Sequence, residues 1–229
     1  MKFDNNALTA LKAGARTKHL FMSRSNRLYR KLHSALFPTE NKVDYQLPQP
    51  SGVIPREFIR QEPWEIEYLF MLARRCKTGI VETGRYNGGS VLVFASANKD
   101  VPIHSVDIAP RDDERLRRML EKLGIGKNVS LIVGDSQHTK YPEVGAVDLL
   151  FVDGDHSYDG CMADLENWWP NVEVGGHVVL HDSYFGNPVQ DATIDFISRH
   201  PVEVVLQPYN LYEHRRSPTG SLCHFIKRG

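Results

Sequence analysis

Residues 81–90 read VETGRYNGGS, an acidic residue and three glycines set where one apolar run stops and the next begins. Ile80 and Val81 end a short strand. Gly84, Gly88 and Gly89 give the following turn positive-φ freedom and strip it of side chains that would block a ligand. The helix predicted to start near Gly88 then offers unpaired N–H groups to whatever the turn holds. The spacing is acid-x-Gly-x-x-x-Gly-Gly, and Tyr86 stands where a dinucleotide fingerprint needs its second glycine. A carboxylate at Glu82 repels phosphate and favours an ammonium group, so the turn predicts a cationic ligand rather than a polyphosphate.

The same device recurs along the chain. The next strand, PIHSVDIAP, ends in Asp107, where a doubly wound sheet presents a carboxylate to a ribose diol; the same residue could instead cap a helix over 111–123. NVSLIVGDSQH ends in Gly134, Asp135 and Ser136, able to meet an adenine edge or a ribose, or to form an ordinary Asx turn. VDLLFVDGDHSYDG runs apolar to Val152 and then releases Asp153, Asp155, His156 and Asp159, and GGHVVLHDSY ends in His181 and Asp182. Strand ends of one parallel sheet share a rim, which is where open α/β folds bind ligands. Oxygen ligands with an imidazole suit a divalent cation, and His156, three residues past Asp153, is placed to act as a general base. The structural alternatives are an Asp153 that caps the next helix and a His181 satisfied in the core.

Taken together, VETGRYNGGS, HSVD, VGDS, LFVDGDHSYDG and GGHVVLHDSY resemble the class I S-adenosylmethionine-dependent methyltransferases, and among them the macrocin-type O-methyltransferases and related small-molecule methyltransferases. The resemblance spans residues 62–228. It implies an α/β fold, a Rossmann-like doubly wound sheet that is mostly parallel with one antiparallel strand near the C-terminus; the residues before it are read from their own periodicity as an N-terminal helical extension. It implies S-adenosyl-L-methionine as cofactor, with Glu82 and Gly84 beside its methionine part, Asp107 on the ribose hydroxyls, and Asp135 with Ser136 beside the adenine. Tyr86, Gly88, Ser90 and Asp153 complete the expected cofactor-binding set. Asp153 and Asp182, with His181, would hold a divalent metal such as Mg²⁺ or Mn²⁺ that orients substrate hydroxyls, and His156 with Asp153 would be catalytic. One departure stands out. Metal-dependent members usually end the fifth strand in two adjacent carboxylates, and here the first is His181, which lowers the site's charge and softens its ligand set.

The expected acceptor is a hydroxyl of a small molecule or sugar. Two readings from other classes are a relative that binds the cofactor without transferring a methyl group, and an assembly module working through its basic N-terminal arm. With 229 residues, 41% of them hydrophobic, the chain can bury a proper core, so residues 62–229 are expected to form one catalytic domain. Helical periodicity appears from Pro63 to Cys76, with Ile66, Leu69, Phe70 and Ala73 on one stripe. It returns at 91–97, at 116–123 before Gly124, around Met162 and Leu165, and after Asn187-Pro188. Residues 202–207 and 221–227 are expected to close the sheet as an antiparallel pair. Trp168, Trp169, Tyr184, Phe185, Tyr209 and Tyr212 are candidates for a substrate wall, and Arg215 and Arg216, in a loop over 208–220, for an anionic substrate group.

Residues 1–61 differ in character. Up to Pro50 there are nine lysines and arginines against Asp4, Glu40 and Asp44, in a chain with zero formal net charge. Leu28, Leu32 and Leu36 recur at helical spacing with Arg24, Arg27 and Lys31 on another face, a basic amphipathic helix that would pack on the domain or a sister subunit in a homo-oligomer. Its sharper reading is docking to an anionic membrane surface or glycan. Nucleic acid is not expected, since no aromatic-interleaved basic groove is present. No apolar run approaches the roughly 20 residues of a membrane span. Cys76, Cys161 and Cys223 form neither a disulfide framework nor a zinc pattern, so a cytoplasmic setting is expected.

Overall fold

The computed structural model describes residues 45–46, 53–55, 57–184, 186–206 and 221–229. The amphipathic helix expected over 24–36, and Phe185, Tyr209, Tyr212, Arg215 and Arg216, lie outside these residues. Strands β1 (Tyr45–Gln46) and β2 (Val53–Ile54) form a small antiparallel pair. Helix α1 (Pro63–Ala73) precedes β3 (Ile80–Thr83), α2 (Gly89–Ala97), β4 (Ile103–Asp107), α3 (Asp113–Leu123), β5 (Val129–Val133), β6 (Val147–Val152), α4 (Tyr158–Trp168), a 3-10 turn at Trp169–Asn171, β7 (Val172–Leu180), α5 (Pro188–Arg199), β8 (Val202–Leu206) and β9 (Cys223–Lys227).

Seven strands form one sheet in the order β5-β4-β3-β6-β7-β9-β8. Neighbours run parallel except at β9, which is antiparallel to both β7 and β8. This is the expected mostly parallel sheet with one reversed strand. Successive residues of a strand point to opposite faces, and a parallel sheet is covered on both, so its central strands are apolar throughout. In β6, Leu149 and Phe151 pack with Leu92, Phe94 and Leu116 in the core beneath α2 and α3. Leu150 and Val152 pack with Leu165, Phe196 and Phe225 in the core beneath α4 and α5.

Local chemistry sets the helix boundaries. The Asp112 carboxylate accepts the Arg115 N–H at the start of α3, and Gly124 ends that helix in the left-handed conformation. The Ser157 hydroxyl accepts the Gly160 N–H ahead of α4, and Asn187 accepts the Val189 N–H ahead of α5, with Pro188 in its first turn. Asp107 and Asp153 are therefore not caps; other residues do that work. Helix α1 stops at Ala73, short of the Cys76 reached by its apolar stripe. Among the described residues no helix is long and apolar enough to cross a membrane. All three cysteines are buried free thiols.

Candidate active site

Register decides which residues meet. Val152 of β6 lies opposite Thr83 of β3 and Leu180 of β7, so the residues that follow, Gly84, Asp153 and His181, come level on three adjacent strands. The chain beyond Thr83 and Val152 stays stitched: Asp153 N–H donates to the Thr83 carbonyl at 2.9 Å, and His181 N–H to the Val152 carbonyl at 3.0 Å. A side chain at 84 is excluded, because a Cβ there would sit 2.3 Å from the Asp153 carbonyl oxygen and φ is +81°. Above this row opens a cavity of about 640 Å³. Its walls include Gly84, Tyr86, Ser90, Asp107, Asp135, Ser136, Asp153, His156, His181 and Asp182. Glu82 and Gly88, of the same expected set, do not line it.

Glu82 turns inward instead. Its carboxylate is fully buried and accepts from the Ser90 hydroxyl and, at 2.5 Å, from the Ser105 hydroxyl of the neighbouring strand. Burial dominates and pushes this carboxyl up from its ordinary 4.5 to about 7. The sign of the resulting stability effect is fixed. Between pH 4.5 and 7 the unfolded chain releases a proton that the folded chain keeps, so Glu82 lowers stability progressively across that window. At about 1.36 kcal/mol per pH unit the ceiling is about 3 kcal/mol. Histidines titrate in the same window, so the informative quantity is a difference. Glu82→Gln should gain about 3 kcal/mol relative to the wild type between pH 4.5 and 7.5, read from urea melts; parallel pH curves for the two proteins would refute it.

The side of the cavity at the ends of β4 and β5 is ordered by backbone donors. Asp107 accepts from Tyr86 N–H at 2.9 Å and Ala109 N–H at 2.8 Å, one on each carboxylate oxygen, leaving each oxygen capacity for a further donor. Asp135 does form the Asx-type turn, accepting from Gln137 N–H at 2.8 Å and His138 N–H at 3.2 Å. Ser136 donates to Asp164 of α4 at 2.7 Å, and Thr83 donates to the same carboxylate at 3.1 Å. Among the described residues the non-glycine positions with positive φ are Tyr86 and Asp182, and both line the cavity. Backbone strain of this kind persists only where the surroundings impose it.

Four ionisable side chains cluster at the β6 and β7 ends. His181 Nδ1 lies 3.2 Å from Asp153 Oδ1 and 3.5 Å from Asp182 Oδ2. His156 spans the same two carboxylates, with Nε2 3.6 Å from Asp153 and Nδ1 3.5 Å from Asp182. Burial alone would raise Asp153, but the two imidazoles outweigh it and hold the carboxyl down at about 2. Burial likewise opposes a charged His181, yet Asp153 and the other carboxylates raise it well above its ordinary range. Contact with Asp153, reinforced by Asp182, raises His156 against its own burial. Ligand atoms of Asp153, His181 and Asp182 all lie within 4.8 Å of one another, so these three residues fit a single small cation.

Several contributors carry no sequence signal. Gln61 donates to Asp153 Oδ2 at 3.1 Å from the segment before α1. Glu65 of α1, 1% exposed, faces His181 Nε2 at 3.1 Å. Arg60 places its guanidinium 5.1 Å from the Tyr86 ring centre at the cavity wall. Each pairing joins residues that are distant in the chain, and an acid in a first helical turn reads as an ordinary solvated one. Trp168, Trp169 and Tyr184 lie outside the cavity wall: Trp168 donates to the Ser136 carbonyl from behind it, and Trp169 packs on Phe196.

Residues 81–183, which hold every one of the strand-end groups, match the family described as "Methyltransferase domain". That stretch of the chain is thus similar to a methyltransferase domain. An uncharacterized protein of Acanthamoeba polyphaga mimivirus is 29% identical over 110 residues, 44% of this chain and 50% of that protein. The chain thus matches about half the length of that curated relative. Among solved structures, the O-methyltransferase NovP superposes with a TM-score of 0.61 at 16% identity, covering 89% of this chain and 99% of that one. TomG from Streptomyces achromogenes, an O-methyltransferase of tomaymycin synthesis in complex with S-adenosylmethionine, gives 0.56 at 17% identity, covering 76% and 86%. These two likenesses are of fold alone, a mostly parallel sheet with one reversed strand near the C-terminus.

Proposed function

We propose that the methyltransferase domain transfers the methyl group of S-adenosylmethionine to a hydroxyl oxygen of a small molecule or sugar. The observation that carries this reading is the juxtaposition, in one cavity, of a side-chain-free turn at Gly84 and a rim of Asp107, Asp135, Asp153 and Asp182 with two imidazoles at its end. A cavity of about 640 Å³ suits a nucleoside-sized cofactor and a small acceptor together. Its carboxylates suit a ligand bearing an ammonium and a sulfonium. The O-methyltransferase character of NovP and TomG supports oxygen as the acceptor atom.

In this reaction the acceptor oxygen attacks the methyl carbon, a C–O bond forms, and the C–S bond breaks with its electron pair passing to sulfur. The domain contributes alignment of oxygen, carbon and sulfur, and removal of the hydroxyl proton. His156 takes that proton as the base. Asp153 and Asp182 then face the imidazolium it becomes, at 3.6 and 3.5 Å, and stabilise the charge as it develops. A divalent cation held by Asp153, His181 and Asp182 would lower the hydroxyl pKa and fix its orientation. The domain's place in a cytoplasmic setting is part of the same proposal.

Calorimetric titration of S-adenosylmethionine into the purified protein, with Mn²⁺ and separately with chelator, tests the reading before any acceptor is known. Binding in the micromolar range, about −8 kcal/mol, is expected. A stronger response with Mn²⁺ would support the cation; no heat in either condition would overturn the cofactor assignment.

A further inference from the structure

We propose that Glu65 is a positioning residue for the reacting cluster: it grips His181 by Nε2 and so determines that Nδ1 is the atom turned towards Asp153 and Asp182. The inference rests on the reading of that cluster as the reacting site, and its test is independent of turnover. Glu65 stands in the first turn of α1, far in sequence from its partners and outside the cavity wall. Its carboxylate is buried and saturated with donors. Oε1 accepts from Ser221 N–H at 2.6 Å and from the Ser221 hydroxyl at 3.0 Å. Oε2 accepts from Glu62 N–H at 2.8 Å and faces His181 Nε2 at 3.1 Å.

A carboxylate in this setting can only accept, so the contact requires a proton on Nε2. With Nε2 committed, the face that remains is Nδ1, 3.2 Å from Asp153 and 3.5 Å from Asp182. The same carboxylate reaches the second cluster residue through Ser221. While the Ser221 hydroxyl donates to Glu65, its oxygen accepts the Asp182 N–H at 3.1 Å, and the Ser221 carbonyl accepts the Ser183 N–H at 3.0 Å. Asp182 sits at φ +54°, a strained conformation for a side-chain-bearing residue, and these bonds help hold it there. One buried acid from α1 thus clamps both residues that end β7. Carboxylates that orient a working histidine through its far nitrogen fix its tautomer and ring direction, and their loss typically costs 10- to 100-fold in activity or metal affinity, on the order of magnitude expected here.

The test is a long-range ¹H–¹⁵N correlation spectrum of full-length protein labelled at histidine, with the His181 ring assigned by its loss in His181→Asn. The wild type should show an exchange-protected proton on Nε2. In Glu65→Gln the amide oxygen is drawn to the two Ser221 donors, which leaves the NH₂ facing His181, so the proton is expected to leave Nε2. Glu65→Asp keeps the charge but shortens the reach, and should release His181 while retaining Ser221; it serves if the glutamine variant does not fold. Affinity for S-adenosylmethionine, measured by calorimetry, should stay within about twofold, because Glu65 does not line the cavity. An unchanged His181 signal in the folded variants would overturn the proposal. If the proton moves as stated in a protein that binds no S-adenosylmethionine, the clamp stands and the functional reading falls.

Discussion

His156→Ala should lower turnover by about 10²- to 10⁴-fold, the usual contribution of a positioned general base, while affinity for S-adenosylmethionine changes by less than about twofold. The asymmetry follows from position. The imidazole stands in the loop after β6, between Asp153 and Asp182, while Asp107 ends β4 and Asp135 follows β5 on the other side of β3 in the sheet. Nearly half of its side chain is exposed, so truncation removes little packing and the fold should be retained. Steady-state kinetics with an acceptor found by screening, set beside calorimetry of cofactor binding, would separate the two quantities. Equal losses in both would remove His156 from the role of base. Asp153→Asn supplies the contrast, since Asp153 packs against Gly84, faces both imidazoles and accepts from Gln61; that variant should lose turnover and S-adenosylmethionine affinity together.

Arg85→Met should destabilise the domain by about 3–5 kcal/mol, the range for breaking a buried ion pair. The Arg85 side chain is fully buried in the turn after β3. Its Nε and Nη2 donate to the two oxygens of Asp113 at 2.7 and 2.6 Å, and Nη1 donates to the Ser105 carbonyl at 2.7 Å and the Ile132 carbonyl at 2.8 Å. One guanidinium therefore ties the turn after β3 to β4, β5 and α3. Its loss strands a mostly buried carboxylate and deprives two carbonyls of a donor, against a total stability of about 5–15 kcal/mol for a domain. Adding Asp113→Leu should recover much of the loss, because the stranded charge goes with it. The exposed Arg118–Glu114 pair on α3 is the internal control, and breaking it should change stability by less than about 1 kcal/mol. Thermal and urea melts of the four proteins check this; an Arg85 variant no weaker than the Arg118 variant would contradict it.

Much of the site was legible before the structure, for a local reason. A strand that ends in an acid, a turn emptied by glycine and a helix opened by Asn187-Pro188 are each written within a few consecutive residues. The apolar run over Val147–Val152 marked a strand buried on both faces, and the order of such segments marked a doubly wound sheet. Glu82 shows where this stops. Its position beside Gly84 read as a ligand-facing carboxylate, whereas the pleat turns it towards Ser90 and Ser105, out of the cavity. A period of two says that faces alternate, not which face meets the ligand. Asp164, which draws Ser136 and Thr83 together, was equally silent, because it lies mid-helix among apolar neighbours.

The sequence by itself determined the elements, their order and the acids and imidazoles that end them, since these follow from periodicity, glycine and capping chemistry along the chain. Only the tertiary structure decided which of those groups are charged and which atoms they present. Those properties depend on burial and on partners such as Glu65 and Ser221, brought to His181 and Asp182 from the far ends of the domain.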